Sequence, residues 1–150
     1  MVQSAEKTLT IQNQIHIRAP RSRVWKALIT PSEFSTWFHA KVSVTEFRVG
    51  ERVDLVSTYP GHEGVAFFFE VVEISPETRF IWRWGPGAAS DPETNVTFDL
   101  EEAEGGTLIK VTESGFERIS LERRAKALES NTKGWEIQLH NIHDYVENKA

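Results

Sequence analysis

The spacing of apolar positions changes along this chain from every second residue to every third or fourth, and the change marks its elements. Residues 8–17, TLTIQNQIHI, alternate, with Leu9, Ile11, Ile15 and Ile17 on one side and Thr10, Gln12, Gln14 and His16 on the other. Period two over such a run predicts a half-buried strand. Asn13 falls on the apolar side, where it needs a hydrogen-bonding partner or a polar ligand. In APRSRVWKALIT, Pro20 suits a first helical turn, and Val24, Trp25, Leu28 and Ile29 form an apolar stripe. This predicts a helix ended by Thr30-Pro31. PSEFSTWF then predicts a second short helix, opened by Pro31 and Ser32.

Strands follow: KVSVTEF, ERVDLVSTY, GVAFFFEVVEI, RFIWRW, TNVTFDLEE and GTLIKVTESGF. The links between them carry Gly, Pro, Asp or Asn, residues that permit tight turns, and links this short favour antiparallel pairing. Alternation sets Phe80, Trp82 and Trp84 on one face, Val96, Phe98 and Leu100 on the next strand, and Ile109, Val111 and Glu113 on the last. AFFFEVV is apolar on both sides, and Phe67 with Phe69 is the preferred inward pair.

From residue 121 the period lengthens. Leu121, Ala125, Leu128, Thr132, Trp135, Leu139, Ile142 and Val146 recur at intervals of four and three, as on an amphipathic helix. Continuous over 121–148, it would run about 42 Å at roughly 1.5 Å per residue. Gly134 inside it predicts a kink or a close packing contact. The sum is a single α+β domain over residues 1–150: a curved antiparallel sheet of about six or seven strands wrapped around a long C-terminal helix, with two short helices after the first strand. A sheet bent around a helix rarely closes its interior, so a ligand cavity is expected between them.

Composition narrows the function classes. Of 150 residues, 39% are hydrophobic and 26% charged, an ordinary globular balance. Nine Phe and five Trp against two Tyr point to a large apolar interior or an apolar cavity. A net charge of −5 argues against a nucleic-acid surface. The basic runs RAPRSR and ERRAK are better read as solvated faces. Without cysteine there is no thiol catalysis, disulfide or thiolate metal site. No run is long and apolar enough for membrane insertion, and the first residues do not resemble a signal peptide, so the expected location is cytoplasmic.

The order of motifs is also familiar. APRSRVWKALITPSEFSTWF resembles the opening of the activator of Hsp-90 ATPase homologue-like family, in the START-like (SRPBCC) superfamily. FRVGERVDL, FEVVEISPETRFIWRW, VTFDLEEAEGGTLIKVTESGF and GWEIQLHNIHDYVE resemble that family's later segments, in the same order from roughly residue 10 to 148. The resemblance implies a helix-grip (START-like, Bet v-like) fold. Superfamily members bind lipids, sterols, hormones and polyketides, and a few catalyse cyclisation or related reactions. Fold does not fix activity.

Three functions follow as expectations. The first is binding of a hydrophobic small molecule between sheet and helix. The second is a protein-interaction or chaperone-cofactor module, with a protein partner or homodimer. The third is an enzyme on an enclosed aromatic or polyketide-like substrate. Trp37, Phe38, Phe67, Phe69, Trp82, Trp84, Phe98 and Trp135 either line such a cavity or simply fill the core. Leu139 and Asn13 are further ligand-contact candidates. Glu113, inward on the last strand, is either a ligand contact and weak acid–base candidate or a strand-end carboxylate that meets water or an Arg.

No cofactor or metal is implied. His140 and His143 are three apart, not the four of HExxH, and no second helix offers a Glu-x-x-His. They suit a surface helix edge with a Glu136–His140 contact. ESGFE is no nucleophile elbow, and GPGAASDP reads as a flexible loop at a pocket mouth.

Overall fold

Alternation and turn chemistry give seven strands and three helices in the computed structural model, which describes residues 9–85 and 92–148. Strand β1 (Ile11–Ile17) leads into α1 (Arg21–Ile29) and α2 (Pro31–Phe38). Then come β2 (Ala40–Val42), β3 (Arg52–Ser57), β4 (Ala66–Ser75), β5 (Arg79–Trp84), β6 (Thr94–Ala103) and β7 (Gly106–Ser114). A 3-10 turn (Phe116–Arg118) precedes α3 (Leu121–Asn148). The strands form one antiparallel sheet in the order β1-β7-β6-β5-β4-β3-β2, so only the β1–β7 pairing joins elements distant in sequence. This is the expected helix-grip architecture. No helix among the described residues is long and apolar enough to cross a membrane.

Local deviations have local causes. The KVSVTEF strand stops at Val42, and the chain then dips so that Phe47 is buried and stacks on Phe80 at 5.5 Å. The last strand stops at Ser114 because Gly115 takes φ 109°, a left-handed conformation that glycine adopts without penalty. At the other end of β7 a side chain on Gly106 would meet the Ile17 carbonyl oxygen at 2.3 Å, so β1 can approach only a glycine there. Pro20 sits one residue before α1 as its N-cap, and His39 in the left-handed region ends α2.

The inward faces follow the predicted alternation. Phe80, Trp82, Phe98, Ile109, Val111 and Phe69 are all buried, while Phe68 points outward. Phe69 lies flat on Trp82, their rings 4.2 Å apart and 5° from parallel. Phe34, Phe38 and Phe98 close around that pair, at 5.9, 6.1 and 5.1 Å from Trp82.

Helix α3 is continuous, but the predicted stripe holds only in its second half. Trp135, Leu139, Ile142 and Val146 are buried, whereas Leu121, Ala125 and Thr132 are exposed. Asn131, one turn before Trp135, turns inward in place of Thr132. Gly134 makes neither a kink-forming break nor a close contact: nothing lies within 4 Å of where its Cβ would be.

The buried half of α3 is tied down by polar contacts. Gln138 donates to the Phe38 carbonyl (3.1 Å), Tyr145 donates to Glu33 (2.9 Å), and the Arg18 amide donates to Glu147 (2.9 Å). The exposed half has Arg124 donating to the carbonyls of Phe116, Glu117 and Ile119.

Candidate functional site: an aromatic cleft backed by Glu113

The site is built where three elements end together. Alternation on β7 turns Glu113 inward after Ile109 and Val111, at the end of the strand paired with both β1 and β6. There it is fully buried. The carboxylate accepts from four side chains. Trp84 Nε1–H of β5 and Thr94 Oγ1–H of β6 donate to Oε2, at 2.9 and 2.5 Å. Trp135 Nε1–H of α3 donates to Oε1 at 2.8 Å, and Asn131 Nδ2–H donates to both oxygens at 3.0 and 3.2 Å. The indoles and the amide nitrogen have donors and no acceptor, so this set complements an acceptor-only carboxylate. A substrate proton would reach Glu113 only by displacing one of these donors.

Trp84, Trp135 and Asn131 present their other sides to an open cleft of about 430 Å³. Phe38, Phe67, Trp84 and Trp135 give it an aromatic wall, with ring separations of 6.5 Å (Phe38–Phe67), 6.2 Å (Phe67–Trp84) and 5.8 Å (Trp84–Trp135). Ser57, His62 and Val65 also line it, and Gly134 leaves the helix wall recessed. Such a surface offers ring faces for stacking and apolar area for burial, with a few polar atoms to orient what it holds.

The expected site residues thus divide. Phe38, Phe67, Trp84 and Trp135 line the cleft, and Glu113 lies behind it. Phe69, Trp82, Phe98 and Leu139 belong to the core, where the aromatic rings pack against one another. Trp82 Nε1–H is buried without a hydrogen-bond partner among the described residues. Trp37 ties α2 to α1 through Nε1–H to the Ala27 carbonyl, at 2.8 Å. Asn13, half-buried on β1, accepts from the Gln14 amide at 2.9 Å and is not among the cleft residues.

Sequence reasoning missed Thr94, Asn131, Gln138 and the His62–Val65 side. Asn131 was detectable, being four residues before Trp135 on the same helical face. His62 and Val65 sit in a connection and carry no periodic signal. The segment 86–91 of GPGAASDP lies outside the described residues.

Among the described residues there is no group of three or more His, Asp or Glu that could hold a metal ion. The expected Glu136–His140 contact is replaced by one two turns later. Both of those residues are exposed, and it is His143 that meets Glu147 at 3.0 Å and Asp144 at 2.9 Å. His143 is half-buried, and its partner Glu147 accepts from the Arg18 amide between β1 and α1.

A curved antiparallel sheet gripping a C-terminal helix, with an aromatic cleft at the grip's open end, defines a helix-grip domain. Residues 18–147 match the family described as Activator of Hsp90 ATPase homolog 1-like protein, and the chain belongs to that family. Among solved structures it is similar to MLL2253 from Mesorhizobium loti, with a TM-score of 0.78 and 21% identity over 94% of this chain and 98% of that one. It is similar also to the Aha1 dimer from Colwellia psychrerythraea, with a TM-score of 0.72 and 21% identity over 92% and 96%. DynU16, from the dynemicin biosynthetic locus, aligns at a TM-score of 0.73 and 21% identity over 93% of this chain but 47% of its own, so this chain spans about half its length. At such identities these likenesses concern the fold. No curated protein matches the chain.

Proposed function

We propose that this domain is a small-molecule binding protein of the cytoplasm, taking an apolar or amphipathic ligand in the cleft between α3, β5 and the Ser57–Phe67 segment. One observation carries the reading. Trp84 and Trp135 are fixed side by side through a shared buried carboxylate, and both line the cleft. Rings held this way bind a flat or extended apolar molecule without first losing side-chain freedom. The neighbour from the dynemicin biosynthetic locus is in keeping with small-molecule handling on this fold.

The test is native mass spectrometry after gentle purification, together with a ligand screen followed by the tryptophan indole N–H signals in two-dimensional NMR. The expected result is a retained or titrated apolar ligand that shifts the Trp84 and Trp135 signals. If nothing is retained and no aromatic or lipid probe moves those signals, the reading fails.

A second reading, a protein-interaction module, is favoured by a different observation. The interior rings pack against one another, while Phe68 and Val56 stand exposed on the outer face of β3 and β4, the Phe68 ring under the Arg52 guanidinium at 3.7 Å. A dimer among the structural neighbours is in keeping with it. Phe68→Ser would then weaken self-association or partner capture and leave ligand binding unchanged.

A further inference from the structure

The cleft has a polarity that narrows what it accepts, an inference that rests on the binding reading above. None of the described residues lining it is Lys, Arg, Asp or Glu. Behind its wall lies the Glu113 carboxylate, and all four of that group's partners are uncharged donors. A buried charge that hydrogen bonds stabilise but no cation neutralises keeps its field, and the low-dielectric surroundings screen it little. An anion entering the cleft meets that field as repulsion.

Hydrogen-bond direction adds a second restriction. Both cleft indoles direct their N–H groups at Glu113 and away from a ligand. Gln138 has its Nε2 on the Phe38 carbonyl and its Oε1 under Asn141 Nδ2. Asn131 can orient its amide in only one sense, because the reverse would set its oxygen against both carboxylate oxygens. Among the described residues its Oδ1 takes no donor, and half-buried Asn131 lines the cleft. The polar atom the helix wall holds ready is therefore an acceptor.

We infer that the cleft selects a flat aromatic molecule that is neutral or cationic and carries an N–H or O–H donor. Asn131 Oδ1 accepts from that donor, and Glu113 acts as the positioning residue that fixes the amide. Carboxylate-headed amphiphiles such as fatty acids are excluded.

Three matched probes test this on the intact chain: 2-naphthol, naphthalene and 2-naphthoate, titrated while the Trp84 and Trp135 indole signals are followed. The expected order is 2-naphthol about tenfold tighter than naphthalene, the effect of one added hydrogen bond, with 2-naphthoate weakest. In Asn131→Leu the 2-naphthol advantage disappears while naphthalene binding remains. The wild-type comparison stands by itself if that variant does not fold.

Equal binding of all three, or preferred binding of 2-naphthoate, overturns this inference and leaves the binding reading intact. If no probe moves the cleft signals, the binding reading falls and this inference falls with it.

Discussion

Trp135 and Glu113 are joined across the grip by a 2.8 Å hydrogen bond, indole N–H of α3 to carboxylate of β7, with both residues buried. The bond fastens helix to sheet at the cleft floor. A hydrogen bond to a charged group contributes about 1.5–3 kcal/mol, and a buried acceptor deprived of its donor adds a desolvation cost. Trp135→Phe is expected to lower unfolding stability by roughly that amount, measured as a shift in urea midpoint at unchanged m-value. A shift under about 0.5 kcal/mol would show the cage to be energetically idle.

Phe69 and Trp82 stack within the core, both fully buried. Truncating Phe69 to Ala removes that contact and leaves a void in a close-packed interior, a change that costs about 3–5 kcal/mol. Thermal unfolding should show Phe69→Ala as far more damaging than Phe68→Ala on the outward face. Equal effects would contradict the assigned faces.

Gly134 separates stability from binding. With open space where a Cβ would sit, Gly134→Ala should stabilise α3 by about 1 kcal/mol. Gly134→Leu should fill the recess and abolish ligand-induced shifts at Trp84 and Trp135 while the fold persists. Persistent binding in the Leu variant would move the ligand elsewhere.

Tyr145 carries a pH signature. Burial pushes its hydroxyl above the ordinary tyrosine value near 10, and the hydrogen bond to Glu33 and that group's charge push the same way, against the opposing Arg23. The folded state therefore holds the proton more tightly than the unfolded chain does. The stability this contributes is complete below about pH 10 and is lost as pH rises from there through the folded value. Urea titrations from pH 9 to 11 should show a decline that is shallower in Tyr145→Phe. Identical slopes would refute the linkage.

Strand alternation was legible because one face of the sheet is buried and a one-residue slip would expose it. Phe80, Trp82, Trp84, Val96, Phe98 and Glu113 all took their predicted faces. The helix was legible in extent but not wholly in register. Apolar spacing led from Leu128 to Thr132, whereas packing against Glu113 selected Asn131, a polar residue whose partner lies 18 positions away. A pattern of apolar residues cannot announce a polar inward position whose partner is on another element. The same limit hid Thr94, and His62 and Val65 belong to a connection that tertiary contacts alone bring to the cleft.

Helix α3 is fastened at both ends, by Arg124 to the carbonyls of Phe116, Glu117 and Ile119 and from Trp135 to Glu147 to the sheet and the residue after it, which makes it a beam on two supports. The span between the supports carries Asn131 and Gly134, both of which line the cleft. Adaptation to guests of different thickness would then be a property of that span, not of the core.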